Sequence, residues 1–153
     1  MTRALPTVLL ALALGAGATP SYAVADPRPV EPFVPGIHED PELAAAWQDW
    51  QAAGIDDYVM TVRTTCYCVP RQAVRTVVRD DAVVKVTRGE QRLRLRRGWS
   101  MDGLFIMLRE ALAEADAVDV TFTPRGVPKS IAVDPERTAA DEETYYEVAL
   151  SRR

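Results

Sequence analysis

The feature that most constrains the fold is a repeated order: an amphipathic helical stripe followed by three short β-rich runs, then the same again. The second stripe is the cleaner one. Leu104, Phe105, Leu108, Ala111, Leu112 and Ala115 recur at i, i+1, i+4, i+7, i+8 and i+11, which lines one side of a helix. Ser100 stands where a cap belongs, and Asp102 lies in the first turn, where the helix dipole favours an acid. In the first stripe, Leu43, Ala46, Trp47 and Trp50 share a face. Asp40 can cap that helix, Pro41 fits its first position, and Gly54 supplies the stop.

The runs between the stripes read as strands. Along Tyr58–Cys66, the residues Tyr58, Met60, Val62, Thr64 and Cys66 alternate with Val59, Thr61, Arg63 and Thr65, so each set takes one side. Two more runs, 74–79 and 83–88, flank Asp80-Asp81, a tight-turn pair. After the second helix come 117–123, 129–134 and 144–150. The connections are too short for parallel crossovers, so the strands pair antiparallel. The expectation is a two-layer α+β domain: an antiparallel sheet of about six strands with two helices on one face. The layout suggests a tandem αβββ duplication.

Composition bounds the function. A chain of 153 residues suits one domain, and 48% hydrophobic residues can fill a core. The 18 basic and 22 acidic residues leave a formal charge of -4, of the wrong sign for a general nucleic-acid binder. Residues 1–25 read as a secretory signal peptide. Arg3 gives the positive start, an apolar stretch follows, and Ser21-Tyr22-Ala23 and Ala23-Val24-Ala25 are small-x-small cleavage sites. No later segment is apolar enough to span a bilayer. The mature protein is therefore expected to be exported, to the periplasm or beyond. Residues 26–39, with Pro27, Pro29, Pro32 and Pro35, read as an extended linker with no core of their own. Residues 40–153 are left as the single domain.

Several local motifs then coincide: the Trp-rich first helix, Gly54-Ile55 before Tyr58, the Cys66-Tyr67-Cys68 triplet, and Leu104-Phe105. Further on come Gly126-Val127-Pro128 ahead of Ser130-Ile131-Ala132-Val133-Asp134, and Asp141-Glu142-Glu143 ahead of Tyr145-Tyr146. Together they resemble an uncharacterised bacterial family of exported proteins, the domain of unknown function six-one-seven-four. The resemblance runs from Asp40 to Leu150 and implies no activity. Many relatives look like lipoproteins, whereas no cysteine falls in the leader here to accept a lipid. The tandem layout is also similar to that of exported β-lactamase inhibitor proteins, a likeness of fold alone.

Cys66 and Cys68 carry the sharpest chemical signal. Exported thiols tend to oxidise, and alternate strand residues point the same way. Ideal extended geometry sets their Cα atoms about 6.5–7 Å apart, at the upper edge for a disulfide, so a bond requires a bend at Tyr67. A structural disulfide is the first expectation. A reversible redox pair and a metal or free-thiol site are the others. The second candidate is the arginine run, Arg88 to Arg97. As a strand it places Arg92, Arg94 and Arg96 on one side, where they could hold an anionic partner such as phosphate-bearing lipid or an acidic protein surface. The alternative is a solvated edge strand guarded by charge. Asp141-Glu142-Glu143 has no EF-hand spacing and reads as a solvated loop. The lone His38 has no nucleophile motif to serve. The expected function is a non-catalytic exported binding or accessory protein, without cofactor, acting on an unidentified protein or small ligand. The second reading is an envelope thiol-disulfide or metal-handling protein built on the cysteine pair.

Overall fold

The computed structural model describes residues 26–139 and 141–152; the expected signal peptide lies outside them. Helix α1 spans Pro41–Ala53. The Asp40 carboxylate accepts from the N–H groups of Glu42 and Leu43, both at 3.0 Å, satisfying donors that a helix start leaves open. Gly54 closes it in the left-handed conformation at φ 54°. Helix α2 spans Met101–Glu114, and the Ser100 hydroxyl accepts from Gly103 N–H at 3.0 Å.

Eight antiparallel strands form one sheet: β1 (Arg28–Pro29), β2 (Tyr58–Cys66), β3 (Val74–Arg79), β4 (Ala82–Arg88), β5 (Gln91–Arg92), β6 (Ala117–Phe122), β7 (Pro128–Asp134) and β8 (Thr144–Arg152). Six are the expected long strands. The other two, β1 and β5, are two-residue pieces that both pair with β4, one at each end. The spatial order is β1-β4-β3-β2-β8-β7-β6. Asp80 and Asp81, at φ 45° and 54°, make the turn between β3 and β4, both in the conformation that a two-residue hairpin of the favoured twist requires.

The inner face carries Tyr58, Met60 and Val62 of β2, with Val78, Thr76 and Val74 opposite them on β3. Both helices lie on this side. Trp50 of α1 packs edge-on to Tyr58 with ring centroids 5.6 Å apart. The Tyr58 hydroxyl accepts from Met101 N–H at the start of α2, at 2.9 Å. Phe33, Trp47 and Phe105 pack ring against ring at 5.1–5.4 Å in the middle of the core.

The αβββ order recurs along the chain but not as a spatial repeat. The halves β2–β3–β4 and β6–β7–β8 meet where β2 pairs antiparallel with β8. Carrying β2–β3–β4 onto β6–β7–β8 keeps the left-to-right order while reversing strand direction. A rigid rotation that does so turns the sheet over, which would put the two helices on opposite faces. They share one face, so the duplication ends at element order.

The linker expectation fails as well. Residues 28–33 lie along the domain as a strap: β1 pairs with β4, Val30 N–H donates to Asp81 C=O at 2.8 Å, and Phe33 is 2% exposed. Sealing that one ring is worth about 1.5–3 kcal/mol. Proline spacing predicts an extended backbone, which is what β1 needs. It carries no information on what the backbone lies against.

Candidate functional site

The helices do not cover the whole inner face. Thr64 and Cys66 continue it past Val62, and the burial that holds through Val62 gives way there to exposed and half-buried positions. A hollow of about 550 Å³ opens at this end. The inner-face neighbours Val62 and Val74 give it an apolar lining, Trp99 adds an aromatic one, and Cys66 and Cys68 lie at its edge. Four arginines line it: Arg71, Arg88, Arg96 and Arg97. Among the described lining residues there is no carboxylate.

Each arginine is placed by local backbone. Arg88 is the last residue of β4 and lies opposite Val74. Its Nε is buried and finds no acceptor among the described residues. The other such atom, Arg28 Nε, belongs to the opposite end of β4. Arg96 and Arg97 stand on a 3₁₀ turn, Leu95–Arg97, anchored by buried Leu95 and closed by Gly98 N–H on Leu95 C=O at 3.0 Å. Gly98 lies so tightly on the sheet that a Cβ there would come within 2.5 Å of Val86. The next residue, Trp99, donates its N–H to the Thr76 hydroxyl at 3.0 Å. That bond satisfies Thr76, one of few buried polar side chains.

This turn corrects the arginine reading. The strand stops at Arg92, so Arg92, Arg94 and Arg96 do not stand on one side of it. Arg92 and Arg94 are exposed and line no part of the hollow, whereas Arg96 joins Arg97, Arg88 and Arg71 there. Sequence reasoning missed Arg71 and treated the arginines and cysteines as separate features. One signal was present for Arg88: it follows Val86 by two residues and so continues an apolar strand face.

Cys66 and Cys68 are brought together. Cys68 N–H donates to Cys66 C=O at 2.7 Å, a three-residue γ-turn with Tyr67 at its apex. The bend shortens the Cα–Cα distance to 5.1 Å, inside the range a disulfide needs, and the two sulfurs meet. Tyr67 and Val69 are left exposed, and Val69 lines the hollow. The acidic 141–143 loop leads into Thr144, the partner of Cys66, but does not line the hollow.

A second hollow, of about 380 Å³, lies under the strap at the far end of the sheet, beside Trp47, Trp50, Asp81 and Asp102. Burial pushes the Tyr58 hydroxyl there up to about 12. Burial also raises the Asp102 carboxyl, against the lowering effect of the Phe33 N–H bond. Among the described residues no group of three or more histidine, cysteine or acidic side chains is arranged to hold a metal.

These observations define a two-layer α+β domain whose partly uncovered sheet face bears a cationic, partly apolar hollow. The chain belongs to the family of unknown function DUF6174, whose family model matches residues 42–153. No curated protein and no solved structure matches it. The strap lies ahead of the matched region.

Proposed function

We propose that the protein is an exported, non-catalytic binding module that takes an anionic partner in the arginine-lined hollow. The observation that carries this reading is charge without compensation: four guanidinium groups around one concavity with no carboxylate in its lining. Guanidinium suits carboxylate and phosphate because its donors form a fixed fork. Export rests on residues 1–25, and no described helix is long and apolar enough to cross a membrane. The experiment is a titration of the mature protein with inorganic phosphate, followed by NMR at the arginine Nε–H signals. The expected result is a saturable shift at Arg88 that weakens with added salt and disappears in Arg96→Gln/Arg97→Gln. Equal small shifts at all arginines would defeat the reading. So would a turnover activity abolished by one substitution.

The contact between Cys66 and Cys68 supports a second element of the proposal, a disulfide that braces the edge of the hollow. A ring this small adds roughly 1–2 kcal/mol at most, so it shapes the Tyr67 turn more than it holds the fold. Intact mass with and without reduction reads its state and the cleavage point together. A measurable reduction potential coupled to a change in function would instead support the thiol-disulfide reading. A Cys66→Ser/Cys68→Ser variant that behaves as wild type defeats that reading.

A further inference from the structure

The hollow has two chemically distinct parts, and together they specify more than an anion. Val62 and Val74 lie side by side on the inner face of β2 and β3, and Trp99 packs edge-on to Tyr146 with centroids 6.0 Å apart. Val62 and Val74 are buried and Trp99 is half-buried, so this lining is fixed by packing. The arginines approach from β4, from the 3₁₀ turn and from the loop after β2. An inorganic anion would meet the guanidinium groups and leave the solvent-facing apolar surface of Trp99 and Val69 in water. A neutral apolar molecule would cover that surface and leave four guanidinium groups without a counter-charge.

We infer that the hollow binds an amphiphilic organic anion: a carboxylate or phosphate head on Arg88, Arg96 and Arg97, with an aliphatic or aromatic tail against Trp99 and Val69, over a floor of buried Val62 and Val74. The inference rests on the anion-binding reading above and adds the tail. The volume of about 550 Å³ lies within the range of small-molecule sites. Each methylene buried adds about 0.8 kcal/mol, so a chain of several carbons contributes more than a tenfold gain over the head alone. The ligand is a free molecule that enters the hollow, not a lipid still seated in a bilayer. Exposed Val69 lines the hollow, and exposed Tyr67 stands between its lining residues Cys66 and Cys68.

The test compares three probes on the mature protein, the two amphiphiles below their micelle concentrations: decanoate, inorganic phosphate and decyltrimethylammonium. Binding is read by calorimetry and by the shift in Trp99 emission as its surroundings become less polar, with Trp47 and Trp50 buried and not lining the hollow. Decanoate is expected to bind at least tenfold more tightly than phosphate, and the cationic amphiphile not to bind. Arg88→Gln should weaken decanoate at least tenfold. Because Arg88 is partly buried, exposed Arg96→Gln/Arg97→Gln serves as the second variant and should weaken it without loss of thermal stability. If phosphate binds as tightly as decanoate, the tail is wrong and the anion reading stands. If neither anion binds, both readings fall. Equal binding of the cationic amphiphile, or binding to anionic lipid vesicles without binding of monomeric decanoate, overturns the inference.

Discussion

At Gly126 the hairpin between β6 and β7 comes so close to α1 that no side chain fits. A Cβ built there would collide with the Ala46 carbonyl and lie 2.7 Å from Trp50 N, and the residue sits at φ 70°. Both obstacles are backbone, which cannot swing aside, and the conformation itself disfavours any other residue. Gly126→Ala is therefore expected to lose about 2 kcal/mol or more in urea unfolding. Gly36→Ala, where a Cβ meets open space, is the control and should stay within about 0.5 kcal/mol. Similar losses for both would show that the contact with α1 is not what makes Gly126 necessary. The run Pro124-Arg125-Gly126-Val127-Pro128 reads as a turn from sequence alone, through its Gly and Pro content. The need for glycine does not, because it arises from a helix some eighty residues earlier. Arg88 shows the same limit in the site: its place on an apolar strand face is legible, but its buried, unpaired Nε is not, because burial depends on residues distant along the chain.

Among the elements, the strap departs furthest from its sequence reading, and Arg109 of α2 explains how it is held. The guanidinium lies 4.1 Å over the Phe33 ring, bonds Glu39, and donates to Val34 C=O at 2.7 Å. Phe33 N–H in turn donates to the Asp102 carboxylate at 2.8 Å. Phe33→Ala should lose about 3–5 kcal/mol, as expected for emptying a buried ring site, whereas Val34→Ala beside it, 69% exposed, should change little. Unfolding followed by tryptophan emission reads both, since Trp47 packs on the Phe33 ring. A Phe33→Ala loss under 1 kcal/mol would return the segment to a loose tether. Elements with a regular period were legible: the four inward residues proposed for α1 are its buried ones, and β2 and β3 have the expected bounds. Elements fixed by a distant partner were not. In α2 the stripe continues past the core, leaving Leu112 at 37% exposed, because periodicity does not report where the sheet beneath ends. In the arginine run, alternation of Leu93 and Leu95 with arginines imitates a strand, yet Leu95 reaches the core from a 3₁₀ turn.

For the molecule as a whole, two carboxyl groups that hold the strap respond to pH with opposite sign. Burial opposes the charge on Glu39, but hydrogen bonds from Arg109 and from Gly36 N–H outweigh it and set the carboxyl below its ordinary 4.5. Its contribution is present above that ordinary value and is lost as pH falls through the depressed one. Asp102 is the reverse case. Burial holds its carboxyl above the ordinary 3.8, the Phe33 N–H bond offsets this only in part, and Asp81 adds to the rise. The folded state then favours the protonated form, so the Asp102 share is present at low pH and is lost as pH rises through the raised value. Urea unfolding at pH 3 and pH 7 separates the two. Glu39→Gln should destabilise more at pH 7 than at pH 3, because only the charged partner of Arg109 is being replaced. Asp102→Asn should compare better with wild type at pH 7 than at pH 3, because it keeps an acceptor for Phe33 N–H and removes a buried charge. If the two variants shift in the same direction between those pH values, the strap is not held by this opposed pair, and the acid response of the fold originates elsewhere in the molecule.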